Sequence, residues 1–81
     1  MINVLFFGKL RDEFKIDQIT IKQPCQNISQ LFDLLTQQQP QLSSLKDTHS
    51  LLIAVNQDMS DTTAALNSGD EVAFFPPVTG G

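Results

Sequence analysis

The sequence has few of the residues on which several common kinds of site depend. Its 81 residues include one cysteine and one histidine. A single cysteine excludes an internal disulfide, and together the two residues are too few for a Cys- or His-rich metal site. No apolar run approaches the ~20 residues that span a bilayer, and residues 1–7 lack the basic segment and cleavage site of a secretory signal. We therefore expect a cytoplasmic protein with no membrane partner and no bound metal.

Basic residues are also scarce over most of the chain, whose net charge is −4. Four of the five basic residues precede position 23, whereas six of the nine acidic residues follow it. Nucleic-acid-binding proteins present a basic surface to the phosphates, so the acidic body argues against a nucleic-acid partner. The same charge favours protein partners with a basic docking surface.

The remaining composition is that of one small folded domain. The hydrophobic fraction is 41% and the charged fraction is 17%, which are values typical of globular proteins. Apolar and alternating segments predict strands at residues 2–7, 16–22, 51–55, 59–60 and 71–75. We expect a turn at 56–58, one helical turn or a loop at 9–15, and one helical turn within 61–66.

One amphipathic helix is predicted over residues 28–39. Apolar side chains recur there at i, i+3, i+4 and i+7, the spacing of a helix with one buried face. Asn27 suits the N-cap, and Gln30 suits the return hydrogen bond of a capping box. One main helix among about five strands predicts an α+β fold, with the helix across one face of a mixed sheet.

Alternation along the first and last strands assigns their side chains to the two faces of that sheet. Val4, Phe6, Val72 and Phe74 are expected to face the helix. Leu5, Phe7, Ala73 and Phe75 then point to the opposite face. Phe7 and Phe75 could be core residues of a sheet that is buried on both faces; we favour an exposed apolar patch that binds a partner.

The chain ends in the most informative motif, Phe74-Phe75-Pro76-Pro77-Val78-Thr79-Gly80-Gly81. Proline lacks the N–H that a sheet requires, so the two prolines end the strand and keep the chain extended. Glycine lacks a Cβ, so the tip is thin. The motif predicts a domain over residues 1–75 and a flexible tail over 76–81, with a terminal carboxylate that can enter another protein's active site.

The order of elements resembles the ubiquitin-like β-grasp fold. More narrowly, residues 69–81 resemble the ending of the MoaD family, the small sulfur-carrier subunits of molybdopterin synthase. The segments Val4-Leu5-Phe6-Phe7-Gly8-Lys9-Leu10-Arg11 and Ala54-Val55-Asn56-Gln57 are similar to that family as well.

The resemblance implies a carrier without catalytic activity of its own and without a bound cofactor. A MoeB-type, E1-like enzyme would consume ATP to adenylate the carboxylate of Gly81, and a sulfur donor would convert the adenylate to a thiocarboxylate. The carrier would then dock on a MoaE-type large subunit, in a heterotetramer, and deliver sulfur to cyclic pyranopterin monophosphate. Gly81 and Gly80 would carry this chemistry, and the residues expected to contact partners are Phe7, Arg11, Phe75, Pro76, Pro77, Val78 and Thr79.

Other interpretations of the same residues remain. The chain could be a ThiS-like carrier for thiamin thiazole synthesis, or a ubiquitin-like protein modifier or interaction module. Arg11 could equally be a solvated surface charge. Cys25 could be a nucleophile, although no partner base is visible near it in sequence, and a bystander thiol is the better interpretation. His49, beside Thr48 and Ser50, is better explained as a loop residue than as part of a catalytic triad.

Overall fold

A five-stranded mixed sheet organises the part of the chain that this computed structural model describes, residues 1–48 and 51–77. The strands are β1 (Ile2–Phe6), β2 (Gln18–Ile21), β3 (Leu52–Val55), β4 (Asp58–Ser60) and β5 (Glu71–Phe75). The helices are α1 (Lys9–Phe14), α2 (Ile28–Gln38) and a 3₁₀ helix (Pro40–Leu45). The predicted α+β class and the predicted strands are therefore confirmed. In these two ranges, no helix combines the length and the hydrophobicity that a membrane crossing requires.

The last strand lies in the middle of the sheet. The strand order is β2-β1-β5-β3-β4. β5 pairs in parallel with β1 and antiparallel with β3, while β2 and β4 form the two edges. Because the first and last strands are parallel neighbours, they cannot be joined by a tight turn. The chain between them forms the helices and the other three strands.

α2 begins where the sequence indicates, but its N-terminus is capped differently from the expected capping box. The Asn27 Oδ1 atom accepts a hydrogen bond from the Gln30 N–H at 2.8 Å, as predicted. The Gln30 side chain instead accepts from the Gln26 N–H, also at 2.8 Å, rather than from that of Asn27. The return bond thus stabilises the residue before the N-cap. The helix ends at Gln38, two residues before Pro40.

The apolar side of α2 packs against the predicted face of the sheet and forms the core. Val4, Phe6, Val72 and Phe74 are all at most 2% exposed, which confirms that they face inward. The Phe74 ring lies 5.7 Å from the Phe6 ring and 5.5 Å from the Phe32 ring, measured between centroids. Burial of each such side chain contributes about 1.5–3 kcal/mol, so this one interface supplies much of the stability of the domain.

Of two further helical segments, one was not predicted and the other was one of two alternatives. The 3₁₀ helix follows α2 directly, with Pro40 in its first turn, and it buries Leu42 and Leu45 against the core. It was not predicted, since six residues are too few to show a helical period. For residues 9–15, the helical alternative is the one that forms: α1 is a short helix, in which Leu10 and Phe14 are spaced four residues apart and are both buried.

The helical turn expected within residues 61–66 was wrong. The segment forms a hydrogen-bonded turn in which the Ala64 N–H donates to the Asp61 carbonyl at 3.1 Å. The Asp61 carboxylate accepts hydrogen bonds from the backbone and the hydroxyl of Thr63. This local bonding competes with helix formation, and it explains why the apolar residues that follow do not extend the turn.

The predicted turn between the third and fourth strands is present and tight. Val55 pairs with Asp58, so Asn56 and Gln57 alone form the loop. Both have positive φ, 51° and 72° respectively, which identifies a type I′ turn. Its handedness matches the twist of the strands, and it brings β4 back beside β3.

Candidate functional site

The site begins at the C-terminal end of β5, the central strand, where the chain leaves the sheet. Hydrogen bonds hold β5 on both sides. At the C-terminal end of β5, the Phe7 N–H donates a hydrogen bond to the Phe74 carbonyl at 3.1 Å, and Phe75 pairs with Leu52 of β3. β5 ends at Phe75, as predicted, and Pro76 and Pro77 follow without strand structure. The residues just before the exit are therefore held by hydrogen bonds to both neighbouring strands.

An aromatic pair lies on the uncovered face of the sheet beside this exit. The Phe7 and Phe75 rings are stacked, with centroids 4.9 Å apart and an angle of 9° between planes. Phe7 is 39% exposed and Phe75 is half-buried. Within the described ranges no helix covers this face. The small side chains at the centre of this face, Ala54 and Ala73, are buried, whereas the large ones, Phe7 and Phe75, are exposed and half-buried respectively. In the part of the chain that the structure describes, Phe7 and Phe75 are therefore not residues of a second core.

Strand register extends the aromatic pair into a larger surface. Leu5 lies beside Ala73, Ala73 lies opposite Ala54, and Ala54 lies opposite Met59. These four positions form one row across the uncovered face, and directly paired side chains in such a row are close enough to touch. A second row consists of Phe7, Phe75 and Leu52. We call the large apolar members the uncovered-face patch; they are Leu5, Phe7, Leu52, Met59 and Phe75.

Three members of the patch were not singled out from the sequence as site residues. Leu5 was placed on this face without a role, and Leu52 and Met59 were not assigned to a face. Met59 is 64% exposed, which is unusual for a side chain of its size and hydrophobicity. Alternation within β3 and β4 could have placed Leu52 and Met59 only if their pairing with β5 had been known.

Arg11 lies on α1, on the solvent side of that helix. The neighbouring Leu10 and the last residue of α1, Phe14, anchor the helix in the core, and the Phe14 ring is 6.3 Å from that of Phe6. The Arg11 Nε is 3.7 Å from the Asp17 Oδ1, and the Arg11 side chain is 54% exposed. Because the side chain is exposed, the guanidinium is accessible to a partner. Since an exposed ion pair contributes little to stability, exchanging Asp17 for a partner's carboxylate would cost little.

The one cysteine is poorly suited to nucleophilic chemistry. Cys25 is 9% exposed, and its thiol donates a hydrogen bond to the Asn27 carbonyl at 3.3 Å. Burial raises the pKa of the thiol, so the reactive thiolate is disfavoured at neutral pH. These observations favour the bystander interpretation. His49 lies outside the described residues, and no group of three or more potential metal ligands occurs among those that are described.

Comparison with known proteins assigns the chain to a family. The model of the ThiS family matches residues 4–81. The chain belongs to the ThiS family. The molybdopterin synthase sulfur carrier subunit of Haemophilus influenzae is 36% identical over 81 residues, which cover 100% of both chains. The resemblance to sulfur-carrier subunits that the terminal motif indicated is thereby confirmed.

Solved structures support the same fold. The small archaeal modifier protein SAMP1 of Haloferax volcanii superimposes with a TM-score of 0.81 at 23% identity, over 99% of this chain and 98% of that one. Subunits 1 and 2 of the Helicobacter pylori molybdopterin-converting factor were solved as a protein–protein complex, and a chain of that complex matches with a TM-score of 0.66 at 26% identity. That match covers 99% of this chain and 97% of the other. The ubiquitin-like β-grasp fold is confirmed.

Membership of the ThiS family does not by itself assign roles to individual residues of this chain. Phe7, Phe75, Pro76 and Pro77 lie at the exit from β5 and are exposed or half-buried. Arg11 is exposed on α1. The four other predicted site residues lie outside the described residues; they are Val78, Thr79, Gly80 and Gly81. The flexible tail, the partner contacts and the chemistry at the terminal carboxylate therefore stay predictions.

Proposed function

We propose that this chain is the sulfur-carrying small subunit of a molybdopterin synthase and acts in molybdenum cofactor biosynthesis. The observation that carries the proposal is the match to the molybdopterin synthase sulfur carrier subunit of Haemophilus influenzae, which is 36% identical over the full length of both chains. The fold is consistent with a carrier, because the chain leaves the central strand of the sheet at Phe75, and the stacked Phe7 and Phe75 rings lie beside that exit.

The reacting group in this proposal is the carboxylate of Gly81. An α-carboxyl has a pKa near 3.3–3.7, so at neutral pH it is an anion that resists attack by nucleophiles. A carboxylate oxygen attacks the α-phosphorus of ATP on an E1-like, MoeB-type enzyme, and pyrophosphate leaves. Sulfide from a sulfur donor then attacks the carbonyl carbon of the acyl-adenylate, AMP leaves, and a thiocarboxylate remains on Gly81. ATP is consumed by the activating enzyme, and the carrier holds no cofactor.

The second half of the cycle takes place on a MoaE-type large subunit. The uncovered-face patch docks there, and the tail enters the large subunit's pocket, where sulfur passes to cyclic pyranopterin monophosphate to build the dithiolene. Six residues from Pro76 to Gly81, at about 3.3–3.6 Å each, reach roughly 20 Å when extended. Gly80 keeps the tip narrow. The reach and the small cross-section suit entry into a buried pocket.

Charge and surface chemistry support binding of the carrier to protein partners. The net charge of −4 favours association with basic surfaces. Arg11 follows Phe7 by four residues, and its exposed guanidinium can pair with a carboxylate of a partner. Phe7 and Phe75 stack beside the exit from β5, and a few large aromatic side chains often supply most of the binding energy of an interface.

The test is the intact mass of the purified chain after incubation with the activating enzyme, ATP and a sulfide source. The proposal expects exchange of one oxygen for sulfur at the terminus, followed by molybdopterin formation when the large subunit and its substrate are added. Removal of Gly81, or addition of one residue after it, should abolish both results and leave the fold intact. Sulfur transfer that survives these changes would refute the proposal.

Two alternative outcomes would reassign the chain. Recovery from cells with a ThiG-type synthase, instead of a MoaE-type subunit, would indicate the thiamin pathway. Heavier branched conjugates, in which Gly81 is joined to lysines of other proteins, would indicate a protein modifier. The name of the family model and the fold match to an archaeal modifier make both arms worth measuring.

A further inference from the structure

Met59 is the most exposed member of the uncovered-face patch. Its exposed fraction is 64%, against 39% for Phe7, and the other three members are half-buried. Met59 is the middle residue of β4, which is an edge strand of only three residues. Its partner across the strand pair is Ala54, which has only a methyl side chain. Most of the Met59 thioether side chain is therefore open to solvent in the free chain.

The same side chain lies where a partner on this face would cover it. Met59 ends the row that runs from Leu5 through Ala73 and Ala54. The two central alanines are buried, at 8% and 5% exposure, and they are too small to hold a partner away from the sheet. A partner that lies on this row therefore buries the Met59 thioether.

The two other sulfur atoms of the chain differ from that of Met59. Cys25 is 9% exposed and burial raises the pKa of its thiol, whereas the thiolate is the form that oxidants attack. Met1 is 58% exposed, but it lies four residues before Leu5 and three strands across from Met59. These spacings correspond to about 13 Å along the strands and about 14 Å across them. Only the Met59 sulfur is both exposed and part of the uncovered-face patch.

We propose that Met59 is a site of reversible oxidation, at which conversion to the sulfoxide by hydrogen peroxide lowers the affinity of the carrier for the large subunit. The inference rests on the proposed function, in which the patch is the docking surface. The Met59 Sδ attacks one peroxide oxygen, the O–O bond breaks and an S–O bond forms. The departing hydroxide takes the proton of the transferred oxygen and leaves as water, so sulfur loses two electrons and the peroxide gains them. The sulfoxide is polar, and its burial without a hydrogen-bond donor is unfavourable.

Calorimetric titration of untreated large subunit measures the effect, with carrier that has been treated with hydrogen peroxide and then freed of it. The treated wild type should bind with a dissociation constant roughly tenfold higher. Met59→Leu keeps Met1 as its one methionine, and its affinity should be the same before and after treatment. Met59→Gln has a polar side chain of similar length and should bind like the treated wild type without any peroxide. Methionine sulfoxide reductase should restore the affinity of the treated wild type.

Several results would overturn the inference. A loss of affinity that persists in Met59→Leu would place the effect at another residue. Normal binding by the oxidised wild type, or by Met59→Gln, would show that the docked surface tolerates a polar group there. Because Met59 is exposed, the treated wild type should keep its unfolding free energy, and a treated chain that no longer folds would also contradict the inference.

The untreated wild type separates failure of this inference from failure of the proposed function. An untreated chain that does not bind the large subunit refutes the docking, and the inference with it. Where it binds, peptide mass spectrometry gives the oxidation rates of Met59 and Met1 in the free and the docked chain. Docking should slow the oxidation of Met59 more than that of Met1. Equal rates for Met59 in both states would overturn the inference even though docking is normal.

Discussion

Adjacent phenylalanines on β5 allow docking and stability to be separated by a pair of matched substitutions. Phe74 is 0% exposed and contacts the Phe6 and Phe32 rings. Truncation of such a core side chain, Phe74→Ala, should cost about 3–5 kcal/mol of unfolding free energy. Phe75→Ala removes a stacked pair worth about 0.5–1.5 kcal/mol and a half-buried ring, so we expect a loss of about 1–3 kcal/mol in all, which is less than for Phe74→Ala.

The effect of Phe75→Ala on docking should be the larger one. The ring lies near the middle of the uncovered-face patch, and a central aromatic anchor is typically worth at least about 2 kcal/mol to binding. That energy corresponds to a dissociation constant roughly thirtyfold higher. Calorimetric titration of the large subunit measures this change, and denaturant unfolding of the free chain measures stability.

The comparison between the two variants decides the outcome. Phe74→Ala serves as the control, because it should destabilise the fold strongly while any folded fraction docks with nearly normal affinity. If Phe75→Ala instead lost as much unfolding free energy as Phe74→Ala and bound the large subunit normally, Phe75 would be a core residue. The role assigned to the uncovered-face patch would then be refuted.

Three further predictions concern residues away from the patch. Gln57→Gly should raise the unfolding free energy by about 0.5–1 kcal/mol, because the turn holds this residue at a φ of 72°; Gln57→Ala is the control, and an equal gain there would contradict the reasoning. Hydrogen bonds from the Asn67 N–H and the Asn56 amide lower the pKa of Asp70 below its ordinary 3.8, so the stabilisation is present above that pH and is lost as the pH falls through the lowered pKa. Unfolding curves should show the wild type losing its advantage over Asp70→Asn in that range, and a constant difference would exclude this cause. Cys25→Ser should leave sulfur transfer unchanged, and the wild-type thiol should react slowly with an alkylating reagent at neutral pH; loss of transfer would restore Cys25 as a functional group.

The terminal motif indicated the resemblance to sulfur-carrier subunits, and the periodicity of the chain predicted the fold class, the main helix and the two faces of the sheet. Alternation in residues 2–7 and 71–75 assigned the two phenylalanine pairs to opposite faces, since side chains of a strand alternate with a period of two. The helical spacing over 28–39 located α2 to within one residue. These signals are local, because backbone geometry alone determines which neighbours share a face.

What the tertiary structure decided depends on contacts between distant segments. The pairing of β3 with β5 and with β4 places Leu52 and Met59 beside Phe75, and no local pattern states which strands are neighbours. The packing of Pro76 on Gly8 joins residues 68 positions apart in the sequence. Strand order and ring packing follow from burial of the whole core, so only the folded chain could reveal the surface and the contact beside the exit from β5.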